Sequence, residues 1–118
     1  MNRIEISVLS PQAALQAFAD TWQQAETGER AGSRLAFGSL RELFSATTEK
    51  RLDLLRHVAS HKGLNVRPLA QSQGRDCKNV HTDVTELVDL GLLERGDDGV
   101  LVAPYDELLI HAGIRDAA

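Results

Sequence analysis

Along RIEISVL, Ile4, Ile6 and Val8 alternate with Arg3, Glu5 and Ser7, the period of two that predicts a half-buried strand. Ser10 and Pro11 follow, a hydroxyl N-cap and a proline at the first helical position. The period then lengthens: Leu15, Phe18, Trp22 and Ala25 recur at helical spacing, with Gln12, Gln16, Asp20 and Gln23 on other faces. ETGERAGS breaks this helix with two glycines, and RLAFG (Arg34–Gly38) predicts a second short strand, able to pair with the first in parallel.

Ser39 to Glu42 has capping-box spacing and starts a brief helix through Leu43 and Phe44. Thr47 or Thr48 caps a longer one, EKRLDLLRHVASHKG, with Leu52, Leu55, Val58 and Ala59 expected inward and Gly63 ending it. Asn65 caps VRPLAQSQ, where Pro68 falls in the first turn, and Gly74 closes it. In the next helix Val80, Val84, Leu87 and Val88 share one narrow sector of a wheel drawn at about 100° per residue. Arg75, Lys78, Thr82 and Thr85 fall opposite, Asn79 and His81 lie on the flanks, and Asp76 is expected to cap. Gly91 stops this helix, and LLERGDDGVLV predicts two short strands around Asp-Asp-Gly. Helix, short helix, polar-headed helix and hairpin in that order predict a winged helix-turn-helix. The expected fold is therefore α+β, with an N-terminal strand–helix arm over residues 1–38 and the winged helix over 39–118.

Composition narrows the classes. The chain has 118 residues, 42% apolar and 25% charged, as expected of an ordinary soluble globular protein of one domain or one domain plus an arm. Its apolar runs are too short to span a bilayer, and no basic-then-apolar leader opens it. One cysteine, Cys77, excludes an internal disulfide framework, so a reducing cytoplasm is the expected location. Net charge is −1 over residues 1–48, +4 over 49–82 and −7 over 83–118, against −4 for the whole. A positive segment beside an acidic one predicts a local contact with phosphates rather than a general nucleic-acid coat.

The positive segment contains the polar-headed helix. Arg75 and Lys78 have donors for guanine O6 and N7, Asn79 has the paired donor and acceptor for adenine, and Thr82 completes the expected base-reading set. Lys62, Arg67, His81 and Arg95 are the candidate phosphate contacts. Leu15, Phe18 and Trp22 are either core for the first strand or candidates for a dimer surface, since a second protomer supplies a second half-site. Two histidine-containing pairs have metal-like spacing, His57 with His61 and Cys77 with His81, but their helix faces diverge, so no metal or other cofactor is expected. Cys77 borders the buried sector and reads as a small hydrophobe. No phosphate-cradling glycine motif, HExxH or nucleophile elbow is present, so enzyme activity is not expected.

Residues 40–110 resemble the MarR-like winged-helix regulators, and most of all the predicted DNA-binding antitoxins of toxin–antitoxin operons. The resemblance is carried by Leu54-Leu55, Leu69-Ala70, Gly74-Arg75-Asp76, Asn79-Val80, Asp83-Val84, Leu87 and Gly91-Leu92-Leu93. VAPYDEL (Val102–Leu108) resembles the strand after the wing in that group. It implies a homodimeric repressor, often of its own operon, that binds operator DNA and also neutralises a small toxin protein. The alternative it leaves is a protein-interaction module that masks the toxin with little DNA binding. DNA-binding wings commonly carry Arg or Lys near the tip, whereas this tip is Asp97-Asp98-Gly99 with Arg95 at its base. The wing is therefore expected to brace the domain, with Arg95 at most touching phosphate.

Overall fold

A computed structural model describes residues 2–9, 12, 15, 16, 19 and 33–112. The alternation at the N-terminus forms β1 (Arg3–Val8), with Ile4 and Ile6 buried. Ser33–Phe37 forms β2. Between them Gln12, Leu15, Gln16 and Ala19 are helical, while Phe18, Trp22 and Ala25 lie outside the described residues. Then come α1 (Leu40–Ala46), α2 (Glu49–Ser60), α3 (Val66–Gln73) and α4 (Cys77–Asp89). The chain continues through β3 (Glu94–Arg95), β4 (Leu101–Val102) and β5 (Glu107–His111). The described residues therefore form an α+β fold, and no helix among them is long and apolar enough to cross a membrane.

Two compact units result. The first, Met1–Ser45 with Glu107–Ala118, holds a sheet in the order β2-β1-β5, both pairings parallel. The second is Ala46–Asp106. This division differs from the expected boundary at residue 38/39, because β5 returns to pair with β1 and so joins the N-terminal unit. Parallel pairing of β1 with β2 is as the sequence predicts; β5 pairs Ile4 with Leu108 and Ile6 with Ile110.

Local capping explains where the helices of the two units begin. In α1, Ser39 Oγ accepts from Glu42 N, and the Glu42 carboxylate reaches back to Gly38 N at 3.0 Å. In α2 it is Thr48 whose hydroxyl accepts from Arg51 N. Asn65 and Asp76 occupy the cap positions of α3 and α4, yet neither side chain makes a capping bond. Asp76 therefore acts there through its charge near the helix N-terminus rather than as a hydrogen-bonding cap.

The second unit's core is built from one face of each helix. Leu54, Leu55 and Val58 of α2, Leu69 and Ala70 of α3, and Val80, Val84 and Leu87 of α4 are buried, with Leu92 and Leu93 before the hairpin and Leu101 within it. The inward face of α2 is rotated from the expected one: Leu52 is half-buried and Ala59 exposed, while Arg51 and Leu54 are buried. Arg51 takes the inward position because its partners lie there.

α3 and α4 are joined by three residues, Gly74 to Asp76. Gly74 has φ 62, the left-handed conformation that glycine adopts without penalty, and Arg75 N then bonds Ala70 O at 3.0 Å. After α4, Gly91 (φ 82) repeats this ending, with Leu92 N on Leu87 O at 2.9 Å. The β3–β4 hairpin pairs Glu94 with Val102 and Arg95 with Leu101. Gly96 and Val100 close its loop, and Leu101 N donates to Leu64 O, which ties the hairpin to the α2–α3 connection.

Leu87 is fully buried on α4, whereas Phe44 of α1 is 61% exposed. Leu87→Ala is expected to lower the free energy of unfolding by about 2–5 kcal/mol, and Phe44→Ala by less than about 1 kcal/mol. Denaturant titrations of the two variants against the parent chain give the comparison.

Candidate functional site

The first two turns of α4 combine a buried face with an exposed polar one. Val80 and Val84 are fully buried, while Lys78, Asn79, His81 and Thr82 are exposed. Thr82 Oγ1 donates to Lys78 O at 3.1 Å, which leaves its oxygen lone pairs and methyl group facing outward. Cys77 is exposed rather than bordering the core, since it precedes the first buried residue of the stripe, Val80.

Arg75 behaves differently from these four. Its side chain is only 19% exposed, and Nη2 donates to Asp83 Oδ2 at 2.8 Å. The other oxygen of Asp83 accepts from Arg51 Nε at 3.1 Å. Arg51 also reaches Ala46 O through Nη1 and Glu86 through Nη2. One carboxylate on α4 is thus shared by two guanidiniums, one from α2 and one from the turn before α4. Arg75 Nη1 is buried with no acceptor among the described residues, so the bond to Asp83 has to offset a lost hydration contact. Arg75 was expected at a base edge; here its guanidinium is turned back onto the protein. The sequence offered one signal of this network that went unread: Arg51 and Asp83 both sit on the flanks of apolar stripes, where an unpaired charge is costly.

Besides His81, the expected phosphate contacts come from three other segments of the chain. Lys62 in the α2–α3 connection, Arg67 in the first turn of α3 and Arg95 on β3 are exposed, and none joins an ion pair among the described residues. The hairpin loop carries Asp97 and Asp98, and Asp98 Oδ1 accepts from Val100 N, so that carboxylate is committed to shaping the turn. His57 and His61 stack with ring centroids 4.1 Å apart, and among the described residues no three His, Cys, Asp or Glu side chains come together as a metal site.

Each member of the Arg51–Asp83–Arg75 cluster is largely buried, so removing the shared carboxylate strands two cations. Asp83→Ala is expected to destabilise the chain by about 3 kcal/mol, the low end for a broken buried pair because some water contact remains. A loss below about 1 kcal/mol in thermal or chemical unfolding would place these pairs with ordinary surface salt bridges.

No curated protein and no solved structure matches the chain. A family model, HVO_A0114, matches residues 46–110, which take in the whole α2–α4 unit with its hairpin and most of β5. With more than half of its residues inside that match, the chain belongs to the HVO_A0114 family.

Proposed function

We propose that the chain binds double-stranded DNA as a winged helix-turn-helix, with the first turns of α4 in the major groove. The observation that carries this reading is the division of α4: Val80, Val84 and Leu87 anchor it completely, and Lys78, Asn79, His81 and Thr82 project from its N-terminal half. A helix held by its later turns offers its head to base edges without losing its own packing. The three-residue turn after α3 and the hairpin after α4 support the same reading, as does the bond from Leu101 to Leu64 that braces the hairpin.

Roles follow from side-chain chemistry and exposure. Asn79 and Lys78 read bases, and Thr82 offers a methyl group and an acceptor beside them. Lys62 and Arg67 hold phosphates near the start of α3, with His81 and Arg95 as further phosphate contacts. Arg75 orients α4 through Asp83 and is not a reader. The biological role, repression of the chain's own operon by a cytoplasmic homodimer that also acts as an antitoxin, rests on the resemblance to the MarR-like group.

One observation favours a second reading, a module that masks a partner toxin. The hairpin loop carries Asp97 and Asp98, both exposed, an acidic tip suited to a basic protein. A Lys78→Glu variant that loses DNA binding but still neutralises a co-expressed toxin would separate the two surfaces.

The first test is a salt titration of binding to DNA from upstream of the gene and to random duplex of equal length. Preference for the upstream DNA, with affinity falling as salt rises, is the expected result; absence of binding to either at low salt removes the DNA reading. Asn79→Ala is expected to weaken binding to the preferred site by about 1–3 kcal/mol with little effect on random DNA. Arg75→Gln, compared at equal folded fraction, is expected to leave the salt slope unchanged, whereas a lost phosphate contact lowers it by about 1.

A further inference from the structure

β5 is a terminal strand of the β2-β1-β5 sheet, so one row of its backbone donors and acceptors has no strand partner among the described residues. Its composition does not guard that edge. Glu107-Leu108-Leu109-Ile110-His111 has no proline, lysine or arginine, and Leu109 and Ile110 are 45% and 41% exposed. The opposite edge strand, β2, carries Arg34 within it.

We propose that β5 is a homodimer interface, in which two copies pair their β5 strands antiparallel about a two-fold axis at Leu109. The sequence of the strand is self-complementary in that register alone. Leu109 meets the partner's Leu109, Leu108 meets the partner's Ile110, and Glu107 meets the partner's His111. The Glu107 carboxylate already takes Arg3 Nε at 2.9 Å, so on that face of the sheet the row reads arginine, carboxylate, imidazole, and the two-fold repeats it.

The two faces of the sheet select the register. Leu108 and Ile110 lie level with Ile4 and Ile6, and Glu107, Leu109 and His111 with Arg3, Glu5 and Ser7. Pairing centred on Leu109 continues both faces into the partner, giving one sheet of six strands. A slip of one residue sets Leu109 against Ile110 and joins the apolar face of one copy to the polar face of the other. A slip of two residues shortens the overlap and removes the Glu107–His111 pairing. The corresponding β2–β2 arrangement about Leu35 sets Arg34 against Ala36, with no charge complement. The interface differs from the helical surface of Leu15, Phe18 and Trp22 expected from sequence, and it does not depend on whether the chain binds DNA.

Leu109→Cys in a Cys77→Ser background tests it. Directly opposed residues of an antiparallel pair have Cα atoms about 4.5–5.5 Å apart, within disulfide range. Mild oxidation is expected to give a covalent dimer on a non-reducing gel, while Glu107→Cys in the same background, which faces the partner's His111, does not cross-link. In sedimentation equilibrium the parent chain is expected to self-associate, and Leu109→Lys to weaken that association about tenfold or more by opposing two lysines on the axis. A monomer throughout the concentration series overturns the proposal. So does a dimer in which the cysteine at 109 fails to cross-link, a result that stands even if the lysine variant does not fold.

Discussion

Asp83 has a guanidinium on each carboxylate oxygen, and the position of α4 depends on that sharing. An apolar stripe such as Val80, Val84 and Leu87 determines which side of a helix faces the core, but apolar contact is weakly directional and tolerates rotation and sliding. Hydrogen-bonded ion pairs do not. Arg51 fixes Asp83 from α2, Arg75 fixes it from the turn before α4, and Glu86 one turn later adds the second negative charge, so the four side chains sum to zero. Because the cluster is largely buried, any rotation of α4 that broke one bond would leave a charge poorly solvated. The exposed head of the helix inherits its orientation from this arrangement.

The same cluster changes what the positive segment can offer a partner. Residues 49–82 contain seven cations, but Arg51 and Arg75 are neutralised inside the unit and Arg56 pairs with Asp53 at 3.4 Å. Lys50, Lys62, Arg67 and Lys78 keep their charge outward, and the hairpin adds Asp97 and Asp98 nearby in sequence. A surface with so few uncommitted cations attracts a polyanion weakly from a distance. Charge alone therefore does little to hold a polyanion on this segment, and any such contact depends on where the individual side chains stand.

What could be read from the sequence was what local chemistry decides. The helix starts at Ser39 and Thr48, the left-handed glycines at 74 and 91 and the Asp-Asp-Gly turn each depend on a few adjacent residues, and each appears where the pattern puts it. The Arg75 side chain and the inward face of α2 lie elsewhere than the helical pattern puts them, for one shared reason. A helical wheel assigns charged residues to solvent, and it has no means of knowing that Arg51 and Arg75 converge on a carboxylate 32 and 8 residues away. The exposed set Lys78, Asn79, His81 and Thr82 was legible because it depends only on the position of the buried stripe in the same helix. β5 was harder to read, since a strand of five residues is defined by its partner, and that partner is β1 at the far end of the chain.

β5 also bears on what the family match contains. The matched segment runs from 46 to 110 and so ends inside β5, whereas the strand that β5 pairs with, β1, lies outside it. A single strand has no means of satisfying its own backbone groups, so β5 is completed only by a segment beyond the match. In this chain the segment is Arg3–Val8, in register from Arg3–Glu107 to Ser7–His111, with the Arg3–Glu107 ion pair at the first step. The α2–α4 unit needs no such complement, because its helices bury their stripes against one another. The match therefore joins a unit that closes on itself to a strand that does not, and in this chain that strand is completed by β1.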